Sequence, residues 1–242
     1  MSIRHDQGIV LRGYPFGEAD RVVVILSPNH GQVRAVAKGV RRTTSRFGAR
    51  LEPLTHVDLV LYQGRSLATV TQVSVIEAFP KLRQDLDAVM VAGTMAKIIG
   101  QVVVDDEPSH RVFLVLLRGL RALEEGARGL DLAASFLLKV ADVIGQTPAL
   151  ENCAACGAGT GLDRFSLAGG GLICRACDEG GTFRLRDGLP DHLAGLLAAD
   201  LSGFTGTDSG LAAEAVGLAR RFLEYHLEAG LTGPILGTAW KI

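Results

Sequence analysis

The first eighty residues combine short apolar or β-branched runs with stretches in which apolar and polar positions alternate, and both patterns are typical of β-strands. Between residues 32 and 38, Val33, Ala35 and Ala37 fall on one face of a predicted strand, and Arg34 and Lys38 fall on the other. The pattern predicts five strands, at residues 8–14, 21–26, 32–38, 57–62 and 67–76. Because no helical pattern separates the first three, a small β-barrel is indicated, and the OB-fold is the most economical five-stranded candidate.

Beyond residue 80 the apolar positions recur at the spacing of helices. Helices are predicted at 85–104 (interrupted at Gly93 and Gly100), from 108 onward, at 129–145, at 190–201, and from a cap at 207–209 to residue 227. The predicted fold class is therefore α+β with several domains. An OB-fold at 1–80 precedes an α-helical domain that is split into 81–150 and 188–242, and a small module at 151–187 is inserted in it.

The module contains all four cysteines of the chain, Cys153, Cys156, Cys174 and Cys177, as two C-x-x-C pairs seventeen residues apart. This spacing is typical of a zinc ribbon, because each tight turn aims two soft thiolates at one ion. A disulfide pair or four unrelated thiols is the alternative, whereas thioredoxin-like chemistry lacks its βαβ context. Since four thiolates leave no open position for water or substrate, one structural Zn²⁺ is predicted.

Common catalytic signatures are missing from the sequence. It contains no glycine-rich phosphate loop, no nucleophile elbow and no H-E-x-x-H motif. The acidic run at 105–107 precedes a predicted helix, so its expected role is to interact with the helix dipole. His110, His192 and His226 are expected at helix surfaces or ends, without partners. A binding protein is therefore favoured over an enzyme.

The sequence also bears on location. No apolar run approaches the length of a membrane span, and the polar N-terminus lacks the apolar stretch of a signal peptide. Cysteines that serve as metal ligands fit a reducing compartment. A cytoplasmic protein without a membrane partner is predicted.

The formal net charge of −1 hides an asymmetry, because residues 1–50 contain nine Lys/Arg and only three Asp/Glu. Most of these cations lie in the basic segment, residues 38–50, which carries Lys38, Arg41, Arg42, Arg46 and Arg50. Cations and neighbouring hydroxyls suit phosphate groups, and Phe47 is expected to stack on a base. A solvated basic loop is the alternative. Because like charges this dense repel unless they are neutralised, the segment favours a nucleic-acid partner.

Several short motifs follow one another in an order that resembles the RecO family of bacterial recombination mediators. They are GIVL at 8–11, FGEAD at 16–20, the turn at Gly31, AVAKGVRR at 35–42 followed by Ser45, and LEPL at 51–54. The resemblance resumes from Gly145 to Cys177, where a helix end, a Pro-x-Leu and the two cysteine pairs follow. Phe16 stands where the family's second motif has tyrosine, and the last sixty residues match only in helical character.

The resemblance implies an OB-fold, a helical domain with a zinc module, and a cytoplasmic, nucleoid-associated protein of DNA repair. It implies a non-catalytic mediator of the RecF pathway that binds single- and double-stranded DNA and anneals complementary strands. The implied protein partners are RecR, the tail of single-stranded DNA-binding protein and, indirectly, RecA. The residues carried over as phosphate contacts are Lys38, Arg41, Arg42 and Arg46, together with Arg34 and Arg50.

Two other hypotheses remain open at the level of sequence. The chain could be an interaction module, an OB-fold with a zinc ribbon, that binds RNA or a protein partner and leaves DNA alone. It could also be a hydrolase without a recognisable motif. The first would bind structured RNA at least as well as DNA, and the second would show turnover that survives neutralisation of the basic segment.

Overall fold

A computed structural model of the chain describes residues 3–41, 45, 47–64, 67–105, 107–206 and 209–231. It divides into two compact units, Met1–Glu124 and Glu125–Ile242. The first unit holds the barrel with the helices that follow it, and the second holds the cysteine module with the remaining helices. The predicted domain boundaries near residues 80, 150 and 188 stay a prediction.

Five β-strands open the first unit and close into a barrel. They are β1 (Ile3–Phe16), β2 (Asp20–Ser27), β3 (Gly31–Ala37), β4 (His56–Tyr62) and β5 (Ala68–Glu77). β1 pairs with both β2 and β4, and β3 runs parallel to β5, which gives the closed order β1-β2-β3-β5-β4. Each strand that the alternation predicts is present, and the closed barrel has the predicted OB-like form.

The barrel interior is filled by inward-facing residues of the five strands, by Phe47 of the basic segment and by Leu51 directly after it. Phe47 and Leu51, which lie at a short 3-10 helix (Gly48–Leu51), are 2% and 0% exposed and belong to the same core cluster as Val10, Val23 and Ile25. The expectation that Phe47 stacks on a base is therefore wrong. Its ring is used to fill the barrel, since burying an aromatic side chain removes a large apolar area from water.

A β-bulge changes the phase of β1 between Val10 and Arg12. Val10 lies opposite Ile25 and faces the core, whereas Arg12 lies opposite Val24. One extra residue on one strand reverses which side chains face inward beyond it. As a result, the end of β1 presents Arg12, Tyr14 and Phe16 on its outward face.

Three helices complete the first unit: α1 (Pro80–Gln84), α2 (Leu86–Val102) and α3 (His110–Glu125). The side chain of Asp85 caps α2 by accepting the N–H groups of Asp87 (3.0 Å) and Ala88 (3.1 Å). The predicted interruptions at Gly93 and Gly100 are wrong, because α2 runs through both glycines without a break. Burial of one face, including Ile98 and Ile99 at 0% exposure, outweighs the low helix propensity of glycine.

Asp105 has a different role from the one expected. Its carboxylate accepts a hydrogen bond from Nε2 of Gln32 (2.9 Å) and lies 3.5 Å from the guanidinium of Arg34. The residue also forms an isolated β-bridge with Gly31 and Gln32. Its polar contacts therefore tie the segment before α3 to strand β3, in place of the predicted interaction with the helix dipole.

A buried histidine links the barrel to α3. His56 is 3% exposed, its Nδ1 lies 3.2 Å from Glu77 and its Nε2 lies 2.9 Å from the side-chain oxygen of Gln7. Arg121 on α3 binds the same Glu77 carboxylate through two nitrogens, at 2.6 and 3.0 Å. Burial lowers the pKa of His56, although hydrogen bonding to Glu77 acts in the opposite direction.

This lowered pKa predicts acid sensitivity. Since the folded-state pKa of His56 lies below its unfolded value of about 6.5, its contribution is fully present above that pH and is lost as the pH falls. The free energy of unfolding, measured with urea at pH 7, 6 and 5, should fall by at most about 1.4 kcal/mol per pH unit from this group. His56→Gln should flatten that fall, whereas His5→Gln, at an exposed side chain, should not. An equally steep fall in His56→Gln would contradict the assignment.

The second unit consists of helices around a small sheet. Its helices are α4 (Leu130–Val143), α5 (Leu189–Ala198) and α6 (Ala212–Leu227), and its strands are β6 (Arg164–Ser166), β7 (Gly171–Ile173) and β8 (Phe183–Arg184), in the order β7-β6-β8. α4 packs against both α5 and α6. Ser135 and Lys139 of α4 each donate a 2.7 Å hydrogen bond to a carbonyl near the end of α5. The helices after the cysteines, α5 and α6, thus pack on α4, which precedes the cysteines.

Candidate metal centre and nucleic-acid interface

The four cysteines converge at one end of the small sheet. Their sulfur atoms all lie within 4.8 Å of one another, and those of Cys156 and Cys174 are 3.8 Å apart. Four thiolates at about 2.3 Å from a tetrahedral Zn²⁺ would be separated by about 3.8 Å. The same separation is too long for a disulfide of about 2.05 Å, and all four thiols are free. The cluster could therefore hold one metal ion.

Local backbone structure explains why the sulfurs converge. The first pair lies on a turn in which the N–H of Gly157 donates to the carbonyl of Cys153 (2.8 Å), and Gly157 has a φ of +76° that glycine adopts readily. The second pair lies on a 3-10 turn closed by the N–H of Cys177 and the carbonyl of Cys174 (3.0 Å). Gly171 allows the two halves to meet, because a Cβ there would collide with the backbone of Ala149.

The electrostatics differ between the two pairs. Backbone N–H groups of Cys174 and Cys156 lower the pKa of Cys153 to about 6, which favours its thiolate form. Hydrogen bonding of the Cys177 thiol to the sulfurs of Cys156 and Cys174 favours its protonated form and raises the pKa of Cys177 to about 12. Four thiolates in one place repel each other unless a cation neutralises them, so this donor set fits a bound divalent metal.

Ion pairs and ring contacts fix the module in the second unit. Arg175 binds Asp163 at 2.9 Å and Arg164 binds Asp178 at 3.0 Å. The ring of Phe165 on β6 meets the ring of Phe222 on α6 edge to face, with centroids 5.7 Å apart. Because all four donors are sulfurs held by a supported frame, the centre is suited to a structural role.

The start of the basic segment is anchored on the β1–β2 turn. The N–H of Arg41 donates to the carbonyl of Ala19 (3.0 Å), and its guanidinium donates to the carbonyl of Gly17 (3.3 Å). The N–H of Gly39 donates to Asp20 (2.7 Å). Lys38 and Arg41 are both exposed, so their charges point to solvent at the same end of the barrel.

The other predicted cations are distributed along the barrel. Arg34 on β3 is half-exposed and forms a 3.5 Å ion pair with the equally exposed Asp105, a kind of pair that contributes little stability. Arg50 is exposed on the 3-10 helix and lines, with Ser45, Glu52 and Arg83, an open cavity of about 500 Å³. Arg42 and Arg46 lie outside the described residues. The structure thus places Lys38 and Arg41 at one end of the barrel, whereas Arg34 lies beside Asp105 and Arg50 lies with a different set of residues.

The N-terminal and C-terminal parts of the chain each match a model of the same protein family. The family model described as "Recombination protein O N terminal" matches residues 1–79, and the model described as "Recombination protein O C terminal" matches residues 83–233. The chain belongs to the RecO family of DNA repair proteins. The OB-like barrel and the cysteine cluster are thus features of a RecO-family chain, as the resemblance of the short motifs implied.

Curated RecO proteins resemble the chain over nearly its whole length. The DNA repair protein RecO of Frankia casuarinae is 41% identical over 235 residues, which cover 96% of both chains. That of Thermobifida fusca is 41% identical over 234 residues with the same coverage. That of Rubrobacter xylanophilus is 44% identical and covers 73% of this chain and 72% of its own.

One polar network in this RecO-family chain was not predicted from the sequence. Nε2 of His192 lies 2.7 Å from Asp131 and 3.0 Å from Oγ of Ser209, and Asp131 also accepts the N–H of Ser209 at 2.9 Å. The expectation that His192 lacks partners is therefore wrong. In a hydrolytic triad the carboxylate and the hydroxyl contact opposite ring nitrogens, whereas here both contact the same one. The network links α4, α5 and the segment before α6.

The exposure of two aromatic residues of the barrel was also not predicted from the sequence. Tyr14 and Phe16 are 44% and 49% exposed at the end of β1. Their alternation with Gly13 and Pro15 was visible in the sequence as a signal of one shared strand face.

Within the described part of this RecO-family chain, no helix is both long and apolar enough to cross a membrane.

Proposed function

We propose that this protein is a non-catalytic recombination mediator of DNA repair. It binds single- and double-stranded DNA, anneals complementary strands and acts with RecR to help load RecA onto strands coated by single-stranded DNA-binding protein. The observation that carries the proposal is the match to DNA repair proteins named RecO over 96% of the chain. It is supported by an OB-like barrel with a basic segment at residues 38–50, since OB-folds bind oligonucleotides on strands 2 and 3 and their adjoining loops.

Lys38, Arg41, Arg42 and Arg46 are the proposed phosphate contacts, with Arg34 and Arg50 as additional contacts, and the described positions of Lys38 and Arg41 support this role. The N–H groups of Gly39 and Arg41 hold this part of the segment on the β1–β2 turn by hydrogen bonds to Asp20 and Ala19, and the side chains of Lys38 and Arg41 are exposed. Phosphate contacts of this kind position a nucleic acid without reading its sequence. A mediator that acts on any exposed strand needs this type of binding.

The cysteine cluster supports a separate proposal: Cys153, Cys156, Cys174 and Cys177 bind one structural Zn²⁺. The supporting observation is that the four sulfurs lie within 4.8 Å of one another, close to tetrahedral thiolate spacing. Zn²⁺ is preferred among divalent ions because thiolates are soft ligands and a four-sulfur set is tetrahedral. In this proposal the ion stabilises the module and takes no part in chemistry.

The proposed function predicts strand annealing and DNA binding that weakens steeply with salt. Fluorescence anisotropy with a labelled single strand, the matching duplex and a structured RNA, each titrated with salt, measures the binding. The logarithm of the single-strand binding constant should fall by about 0.7 per neutralised phosphate for each log unit of salt.

The same experiment tests the alternative functions. Complementary oligonucleotides with a fluorophore and a quencher should anneal faster in the presence of the protein and without nucleotide. Weak DNA binding with a shallow salt slope, beside equal or tighter binding of RNA, would instead identify an interaction module. No binding of either DNA form at low salt would refute the mediator proposal.

A further inference from the structure

The largest exposed aromatic surface of the barrel lies at the end of β1. Tyr14 and Phe16 are 44% and 49% exposed although each is an apolar ring on a strand of the sheet. Phe47, the aromatic residue of the basic segment, is buried in the barrel and cannot meet a ligand there. An aromatic contact for bases on this side of the barrel therefore has to come from elsewhere in the chain.

The bulge in β1 places both rings on one face. Beyond the bulge, Tyr14 lies opposite Val22 on β2, and Val22 lies opposite Val36 on β3. Val23 follows Val22 on β2 and Ala35 precedes Val36 on β3, and both of these neighbours face the barrel interior. Since neighbouring residues of a strand face opposite sides, Tyr14, Val22 and Val36 point away from the barrel interior. Val22 and Val36 are themselves buried, at 1% and 8% exposure, so the exposed part of the row is the ring of Tyr14.

Cations flank this row on both sides. Toward the middle of the strands, Arg12 lies opposite Val24 and Val24 lies opposite Arg34, so two arginines border the tyrosine. Toward the turn, Lys38 follows Val36 by two residues, and Arg41 is fastened to Gly17 and Ala19 directly after Phe16. Arg12, Arg34, Lys38 and Arg41 are all exposed.

The same turn carries two acidic residues, Glu18 and Asp20. Asp20 is occupied in accepting the N–H of Gly39 at 2.7 Å, which holds the basic segment against the strands. Asp105, which lies 3.5 Å from Arg34, is a third carboxylate, and the four cations around the rings outnumber the three. The surface therefore offers flat apolar faces within a border of net positive charge, which is the chemistry of a single nucleic-acid strand.

We propose that Tyr14 and Phe16 form the base-stacking strip of this protein, on which bases of single-stranded DNA lie while Arg12, Arg34, Lys38 and Arg41 contact the phosphates. This inference rests on the proposed function and adds to it a means of distinguishing single-stranded from duplex DNA. Every base has a π-face that can stack on an aromatic ring, but in a duplex those faces are already covered by neighbouring bases. The strip therefore favours unpaired strands, whereas the cations bind both forms.

The double variant Tyr14→Ser/Phe16→Ser tests the strip. Its affinity for a single strand should fall by about tenfold or more, because base–aromatic stacking contributes on the order of 5- to 100-fold per base. Its affinity for the duplex should change by less than about twofold, and its salt slope should stay that of the unmodified protein, because the phosphate contacts remain. Anisotropy titrations on both DNA forms measure all three quantities.

Two further variants serve as controls. The exchange Tyr14→Phe/Phe16→Tyr keeps both rings and should bind single strands as the unmodified protein does. Tyr225→Ser removes a ring of equal exposure (49%) from α6 in the second unit and should leave both affinities unchanged. Thermal melting checks that each variant is folded. As an independent readout, a single strand containing 5-iododeoxyuridine should photo-crosslink to a peptide that includes Tyr14 or Phe16.

The outcomes separate the strip from the proposed function. Selective loss of single-strand binding with crosslinks at residues 14 or 16 supports the strip. Equal losses for single strand and duplex, or unchanged affinity, would overturn it while leaving DNA binding in place; self-association lost in the same variant would identify the surface as a contact between copies. If the unmodified protein binds no DNA at low salt, the strip and the proposed function fall together.

Discussion

Replacing one cysteine of the cluster, Cys174→Ser, should abolish metal binding and destabilise the second unit. The unmodified protein should carry about one zinc per chain, measured by elemental mass spectrometry on protein purified without added metal, and the variant close to none. A serine hydroxyl is a poor ligand at neutral pH, and three thiolates hold the ion far less tightly than four. The free energy of unfolding should fall by about 4 kcal/mol or more, as expected when a structural metal is lost.

The size of this effect follows from the composition of the module. The core cluster around the sulfurs consists of Cys153, Cys174 and Ile173 with a few partly buried neighbours, so metal ligands make up much of what is buried there; Phe165 and Leu172 are buried on β6 and β7. Strands β6, β7 and β8 contain only three, three and two residues. A segment with so little apolar surface cannot offset the entropy of ordering its chain, so the ion has to contribute the difference.

A matched control exists within the module. Asp163→Asn removes the ion pair with Arg175 and leaves all four sulfurs in place, so its zinc content should remain one per chain and its stability should change little. Treatment with a chelator should reproduce the cysteine variant, and addition of Zn²⁺ should reverse it. Metal-free protein that melts at the same temperature as the zinc-loaded form would refute the structural role.

The sequence predicted those parts of the molecule whose signals are local. Alternation and short β-branched runs in residues 8–76 predicted all five strands. One face of β4 is more buried than the other, whereas both faces of β2 are buried over residues 22–27. The spacing of the cysteines predicted their convergence, since a C-x-x-C turn brings its two sulfurs together through local backbone geometry, and two such turns at this separation are typical of one metal site. The spacing of Phe47 and Leu51, four residues apart, is also local and typical of a buried helical turn, although the charges around Phe47 favoured a surface role.

The features that escaped the sequence depend on distant partners. Asp105 binds Gln32 across 73 residues, and His192 binds Asp131 across 61, so nothing near either residue indicates the pairing. The bulge after Val10 has the same origin, because the register of β1 is set by its pairing with β2 and not by its own residues. Without the bulge, the strand phase would direct Tyr14 and Phe16 inward, which explains why alternation alone did not indicate their exposed face.

Neutralising the basic segment should have the largest effect on DNA binding. The variant Lys38→Gln/Arg41→Gln/Arg42→Gln/Arg46→Gln removes four charges, and the glutamine at position 41 keeps a donor for the carbonyl of Gly17. If all four residues contact phosphates, the salt slope on a single strand should fall by about 2 to 3, and affinity near 0.1 M salt should fall by roughly 10²- to 10³-fold. Single strand and duplex should both be affected, because phosphates are common to the two forms.

The control for this variant has the same change in net charge elsewhere in the first unit. Lys81, Lys97, Arg111 and Arg118 are exposed on helices α1, α2 and α3, and their combined replacement by glutamine should leave the salt slope unchanged. A general attraction between DNA and any cationic surface would lower binding in both variants alike. Loss of slope only in the basic-segment variant would assign the contact to residues 38–46, whereas an unchanged slope there would place the DNA contact on another surface of the protein.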